Sequence, residues 1–476
     1  MYIKQIEKSN TILKYIYFIM SCFCMFLDGF VLIFIGYNTS ILSKQNKWEG
    51  HRLILIDVIY HLVSAFGGIL SIFTSAGKNI KLLSIGLFTL LIAFVCSLYL
   101  IGIKKFPLYL IIFFVIGLSN GHIQNICTTQ IVKKFSHSYR ASIYVIVYTF
   151  TQFGKFFFAL ILFKKNDTIS KGNITPTVYP ITVILFMLII SYSIMLFFIR
   201  RKKNLKESYL IRHQSRRESI FNNLNLFVTY GNSFVIGDAK FKSLSKLFRS
   251  DLFETNLNEH ALNLLFLNLS LGIQFFSMIN VFPLINGKNT TVTVDEIFWS
   301  KSLHTMFLLF IPAVYLFKLN SRKFLLFMTF AMSLFLNVLI FLDVFNSTLV
   351  IHLFRFIWNV CYITVNLYCA EAATNQMRGI NTAFMYLIFK LSCIIEIVTI
   401  DKLIAVSIYV PIMLNIIILI GDMMLVSKLK VETHFKTIEE IEGELNELKA
   451  LKQNSYINKN LNSDSQSKEN TMLNVY

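Results

Sequence analysis

Apolar residues in this chain do not alternate with polar ones at the period of a half-buried strand. They run on in blocks of about 20 residues, each long enough to cross a ~30 Å hydrocarbon layer as a helix. Lipid offers no partner to a free N–H or C=O, and a helix satisfies its backbone within one segment. Twelve such blocks are read, near residues 14–40, 52–74, 80–103, 106–131, 139–163, 177–199, 260–285, 296–317, 323–344, 348–371, 379–400 and 404–427. The expected architecture is therefore all-α and polytopic. An N-terminal segment 1–13 precedes a six-helix bundle 14–199, a basic loop 200–259 that opens "RRKKNLKESYLIRHQSRRES", a second six-helix bundle 260–427 and a polar tail 428–476. The first block is too long for a cleavable signal and lacks a small-residue cleavage site, so it reads as the first span.

Composition sharpens this picture. Hydrophobic residues make up 55% of the 476, and only 15% are charged, where a soluble globule has about a quarter. All seven cysteines fall inside the blocks without metal-ligand spacing and read as packing residues. The formal charge of +19 first raises a nucleic-acid partner, but its distribution is topological. The central loop, "VKKFSHSYR" after the fourth block, "KLNSRK" after the eighth and the tail share one side, which the positive-inside rule makes cytoplasmic, with both termini inside. Asn-x-Ser/Thr triplets at Asn166, Asn173, Asn289 and Asn346 fall on the opposite side. The expected partners are membrane lipids, along the basic loop, and a small-molecule solute; no nucleic acid is expected. No nucleophile–base pair, metal cluster or phosphate loop is visible, so neither an enzyme nor a cofactor is expected. The plasma membrane is the expected residence, an internal membrane the alternative.

Several short strings carry a family likeness. "VETHFKTIEEI" (Val431–Ile441), directly after the twelfth block, resembles the PETKGRT signature that follows the last helix of the sugar porter family of the major facilitator superfamily, with Val431 in place of proline. "IGYNTSIL" in the first block is similar to FGYNTGVI of facilitative glucose transporters, and "QFFSMIN" in the seventh to QQLSGIN, keeping Gln274, Ser277, Ile279 and Asn280. "YCAEAATNQMRG" keeps Glu371 and Arg378 at the family's spacing, "NSRKFLL" matches AGRRTLL, and Gly117 and Gly121 match a glycine pair in the fourth span. Arg140 after the fourth block and Arg378 after the tenth hold equivalent places in the two halves. The likeness implies two six-helix bundles that rock about a central site. It also has gaps: Phe275 replaces the second glutamine, Tyr148 falls where a sugar-binding glutamine is expected, Asn366 where a tryptophan is, and Lys133 where an acid is.

Candidate chemistry follows from both readings. A polyol needs side chains that donate and accept, with apolar faces for its C–H surface. Gln274 and Asn280, with Asn38, Gln152, Asn359 and Asn366, are the candidate lining; interhelical hydrogen bonding is the competing role. Charged residues deep in spans carry default functional suspicion. Asp28, Lys155 and Lys390 are such residues, either pairing with one another or, for the lysines, meeting an anionic substrate. Proton-driven relatives place an Asp at Asn38 and an Arg at Phe113, so the likeness implies uniport, with Asp28 the candidate for proton coupling instead. Glu371, Arg378, Arg140, Arg322, Lys323 and Glu432 are candidate gating residues in cytoplasmic charge clusters. The tail, through Ile438, Ile441, Leu445, Leu448 and Leu451, carries the apolar stripe of an amphipathic helix. The expected function is facilitative transport of a sugar or similar small polar metabolite. The alternatives are an organic-anion carrier, a proton symporter, or a transport-dead sensor or scaffold.

Overall fold

The computed structural model describes residues 14–15, 17–30, 50–74, 106–164, 193, 262–274, 321–342, 348–373, 378–437, 439–441, 443–444 and 447. Nine helices are bounded among them. They are α1 (Tyr17–Phe30), α2 (Gly50–Thr74), α3 (Phe106–Lys134), α4 (His137–Lys164), α5 (Leu262–Gln274), α6 (Arg322–Phe341), α7 (Thr348–Glu371), α8 (Arg378–Val406) and α9 (Tyr409–Ser427). Six of these, α2, α3 and α6 to α9, are long and apolar enough to cross a membrane. The nine helices correspond to nine of the twelve expected spans. The third and eighth spans, the sixth apart from residue 193, the central loop, Asn38 and Asn280 lie outside the described residues.

Helix faces explain why the blocks carry so little amphipathic signal. In α9, Met413, Ile417, Ile420 and Met424 are exposed, while Ile412, Asn415, Leu419, Asp422 and Val426 are buried. The two sets repeat every three to four residues on opposite faces. In α6, Phe324, Met328, Met332 and Phe335 face outward, and Thr329, Ser333 and Asn337 face inward. The outer surface is thus as apolar as the core, and the buried side holds the polar groups. An exposed stripe of this kind is anomalous in water and suits lipid, where the polar groups find partners only inside.

Helix ends follow local chemistry. Ser321 caps α6, its side chain accepting from the Phe324 N–H at 3.1 Å. Helix α8 runs to Val406, past the expected end at residue 400, and the break falls at Ser407–Ile408. There Ser407 Oγ accepts from the Tyr409 N–H at 3.3 Å, and Pro411 sits in the first turn of α9, where its missing N–H costs nothing.

Close approach sets the pairing within the N-terminal helices. A Cβ on Gly29 of α1 would stand 1.7 Å from the Thr151 carbonyl oxygen of α4, and one on Gly154 would stand 1.9 Å from that of Phe26. The two backbones touch, as small residues allow between membrane helices. Among the described residues, the N-terminal and C-terminal helices touch along several seams. Between α2 and α8, Ser64 Oγ and the Tyr386 hydroxyl share a hydrogen bond of 2.7 Å. Between α4 and α7, Tyr148 packs on Tyr362 with ring centroids 5.6 Å apart.

Candidate functional site

At the end of the bundle predicted to face the cytoplasm, a charged layer is built from helix termini. Glu371 closes α7 and is 2% exposed. One carboxylate oxygen lies 3.7 Å from Arg140 Nη1, at the start of α4; the other lies 3.6 Å from Arg322 Nε, at the start of α6. Thr433 Oγ1 of the tail donates to that second oxygen at 2.8 Å. One buried carboxylate therefore ties both halves of the chain and the tail together. Removing one partner of such a cluster leaves a charge stranded in low dielectric, at about 3–5 kcal/mol.

Glu432 performs a different task. Its carboxylate accepts the backbone N–H groups of Arg322 (2.9 Å) and Lys323 (3.3 Å), and those of Thr433 (2.9 Å) and His434 (3.0 Å). It thus neutralises the unsatisfied N-terminus of α6. Burial alone pushes this carboxyl up, but the four N–H donors outweigh it and hold it below the ordinary glutamate range. Tyr368 donates its hydroxyl to the Val431 carbonyl, and Val431 packs with Ile441. The tail continues through Phe435, a non-glycine residue at φ 57°. Phe435 takes the place of the signature's glycine and so carries the steric cost that glycine avoids. A reciprocal capping box then starts the tail helix: the Glu440 N–H donates to Thr437 Oγ1 (3.2 Å) and the Thr437 N–H to Glu440 Oε2 (2.7 Å). Arg378, fully buried, donates to the Ala370 carbonyl (2.7 Å) and the Ala373 carbonyl (3.0 Å) and thereby caps the end of α7.

Deeper in, the two sets of helices enclose a small cavity lined by both polar and apolar side chains. α1, α3 and α4 contribute Met25, Gln124 and Tyr148, while α7 and α8 contribute Tyr362, Asn366 and Tyr386. It has room for about one water and none for a sugar ring. Of the expected lining residues, Asn366 reaches this cavity and back-bonds to the Tyr362 carbonyl at 2.9 Å. Gln152 Nε2 donates to Asn359 Oδ1 at 3.3 Å, a bond from α4 to α7. Gln274 is 1% exposed and gives its amide to Asp422 Oδ2 of α9 at 3.0 Å.

The three expected charges converge beside the cavity. Asp28 Oδ2 accepts from Gln124 Nε2 at 2.7 Å, and Oδ1 has no hydrogen-bond partner. Lys155 and Lys390 both lie within electrostatic reach of Asp28. Lys390 sits among aromatic rings, 5.6 Å from Tyr60, 5.2 Å from Tyr386 and 5.7 Å from Phe389, with His61 Nδ1 3.5 Å away.

Sequence reading missed Asp422, Gln124 and His61. Asp422, an acid inside the apolar run "IIILIGDMML", was visible to the same argument that singled out Asp28. Gln124 was legible as the middle of a polar stripe, Asn120, Gln124 and Thr128, at one-turn spacing on α3. His61, inside the block 52–74, was visible to the same argument, but its partner Lys390, 329 positions away, was not.

A family model for the Major Facilitator Superfamily matches residues 19–395. No curated protein matches the sequence. The fold is similar to that of the proton:xylose symporter XylE bound to 6-bromo-6-deoxy-D-glucose, at TM-score 0.63 and 15% identity, over 92% of this chain and 100% of that one. It is also similar to that of the transporter FucP in the outward conformation, at TM-score 0.57 and 12% identity, over 87% of this chain and 98% of that one. A structure of the E. coli fucose:proton symporter FucP gives the same TM-score, 0.57, at 13% identity. With a match that spans most of the helical chain and a fold shared with these transporters, the protein is a member of the Major Facilitator Superfamily.

Proposed function

We propose that this chain carries a sugar, or a polar metabolite of similar size, across the membrane by alternating access. The observation that carries the reading is a cavity of mixed polar and apolar lining walled by both sets of helices, lying inward of a charged layer that joins the same two sets. In this reading Asn366, Gln152 and Asn359 contact the solute as the helices part, together with Gln274, Asn38 and Asn280. Arg140 and Glu371, with Arg322 beside them, hold the inner face shut until the bundles rock, and Arg378, Lys323 and Glu432 brace the helix ends that carry them. The similar folds belong to sugar symporters, which supports a solute of that class.

Transport runs as uniport, because Asn38 and Phe113 stand where the resembled proton-driven porters have an Asp and an Arg. A second reading, proton symport through Asp28, is favoured by its burial and its unpartnered Oδ1. Purified protein in liposomes tests both, using a panel of labelled sugars and small polar metabolites. Saturable uptake, unchanged when a pH gradient is imposed, supports uniport. Acceleration by an inward proton gradient that is lost in Asp28→Asn supports symport. Uptake no faster than in empty liposomes for every solute overturns the transport reading.

A further inference from the structure

Aromatic rings form much of the cavity wall. Tyr148 of α4 and Tyr362 of α7 both line it and meet each other there, with ring centroids 5.6 Å apart and planes inclined at 50°. Each ring is backed by a second on its own helix. Tyr144 lies behind Tyr148 at 6.4 Å and 27°, and Trp358 behind Tyr362 at 5.3 Å and 16°. Both backing residues stand four positions before the ring they support, one turn away on the same helix face. The Tyr148–Tyr362 contact crosses between the halves, so it opens as they part and leaves two buttressed ring faces toward each other. Aromatic pairs hold their centroids about 4.5–7 Å apart. A flat ring entering the gap replaces one tilted contact with two stacked ones. A hexose, with hydroxyls around its rim and no π face, does not.

The two wall amides, Gln124 and Asn366, present one kind of group. Gln124 Nε2 donates to Asp28 Oδ2 at 2.7 Å, and Asn366 Nδ2 to the Tyr362 carbonyl at 2.9 Å. A backbone carbonyl and an ionised carboxylate can only accept, so both amides turn their nitrogens to the protein. Their oxygens remain. Among the described residues no donor reaches Gln124 Oε1 or Asn366 Oδ1. One belongs to α3 and the other to α7, so each half supplies an acceptor. Two hydroxyls of the wall are already engaged, that of Tyr386 with Ser64 at 2.7 Å and that of Thr382 with the Arg378 carbonyl at 2.8 Å. Ring faces and amide oxygens together suit a flat guest that carries donors on its edge.

We propose that the transported solute is a nucleobase or its nucleoside, a flat heterocycle that slots between Tyr148 and Tyr362 and gives N–H groups to Gln124 Oε1 and Asn366 Oδ1. The proposal rests on the transport reading above and narrows its solute to one class of polar metabolite. Two departures from the sugar-porter pattern, Tyr148 for a glutamine and Asn366 for a tryptophan, supply the ring and the amide that such a solute uses. A hexose meets the acceptors and leaves the ring faces unmatched. An aromatic amino acid such as phenylalanine matches the faces and brings no ring N–H. A nucleobase fills both requirements.

The test is uptake of labelled hypoxanthine, uridine, glucose and phenylalanine into liposomes containing the full chain, with thermal unfolding of the detergent-purified protein as a second readout. The expected result is saturable uptake of hypoxanthine or uridine that excess glucose and phenylalanine do not compete. 1-Methylhypoxanthine or 3-methyluridine, each short of one ring N–H, competes about tenfold more weakly than its parent. Tyr148→Leu and Tyr362→Leu each raise the half-saturating concentration about tenfold, the loss of one stacked face, and the corresponding Phe variants keep most of the affinity. The probe that is carried also raises the unfolding temperature of the unaltered protein, which keeps the test valid where a variant fails to fold. Preference for glucose or phenylalanine overturns the nucleobase and leaves the transport reading standing. Equal competition by the methylated probes overturns the role of the two amide oxygens, and Leu variants of unchanged affinity overturn the ring slot. Uptake of some other sugar or metabolite but none of these four overturns this proposal alone. No uptake of any solute by protein that unfolds cooperatively overturns the transport reading itself.

Discussion

At the scale of single residues, the tail is the part of the molecule whose chemistry is most explicit. Glu432 accepts four backbone N–H groups, two of them from the first turn of α6. Replacing it with Ala removes the helix cap, and the expected cost is about 1 kcal/mol, read as a lower unfolding temperature in detergent. The pH dependence has a definite sign. A carboxyl held below its unfolded value near ~4.3 contributes stability that is full above that value and is lost as pH falls through the folded one. Acidification below about pH 4 therefore destabilises the native protein more than Glu432→Gln, and equal acid sensitivity of the two counts against the cap. The residues of this motif were readable beforehand because "VETHFKTIEEI" is local: cap, turn and capping box all lie within one short string. What each touches was not. Glu371 meets Arg140 only because α4 begins and α7 ends on the same face, and the amide of Gln274 goes to Asp422, 148 residues on. No period in the sequence reports such pairings.

Single helices were legible in existence and blurred in face. Block length alone located α2, α3 and α6 to α9, since ~30 Å of hydrocarbon demands it. The lipid face of α9 was not legible, because Ile417 outside and Leu419 inside are equally apolar. Glycines were better guides, since the fourth span's Gly117 and Gly121 do lie against α2. A Cβ on Gly121 would stand 1.8 Å from the Ser64 carbonyl oxygen. Two substitutions separate contact from propensity. Gly154→Ala forces a methyl onto the Phe26 carbonyl and is expected to cost about 1–3 kcal/mol, as overpacking does. Gly421→Ala meets nothing within 4 Å and is expected to be neutral or to stabilise by up to about 1 kcal/mol. Thermal unfolding of the two side by side decides the matter, and equal behaviour contradicts the close approach of α1 and α4.

At the scale of the whole molecule, the described N-terminal and C-terminal helices meet at three depths. These are the Glu371 cluster, the Gln152–Asn359 bond with the tyrosines beside it, and the α2–α8 seam carrying Ser64–Tyr386 and Lys390–His61. The outermost is the strongest in kind, because its charges are buried and shared. Glu371→Gln keeps the shape and removes the carboxylate that Arg140 and Arg322 share. The expected result is that the inner face opens more often and Cys369, buried on the cavity wall, becomes severalfold more reactive to a maleimide in peptide-resolved labelling. Unchanged labelling contradicts a role for the cluster in holding that face closed. The division into two halves was expected from the order of the spans and the paired arginines. Contacts between the halves were not, since they join residues more than 200 positions apart.

The tethered tail has a practical corollary. Residues 431–433 are clamped between Tyr368, Glu371 and the start of α6, and Ile441 is seated against Val431. A purification tag or fluorescent fusion attached after the last of these anchors leaves every one of them untouched. Trimming the polypeptide to Lys430 strips a carboxylate and a hydroxyl from the seal itself. A series of C-terminal deletions should accordingly divide sharply, tolerated down to Ile441 and damaging beyond it.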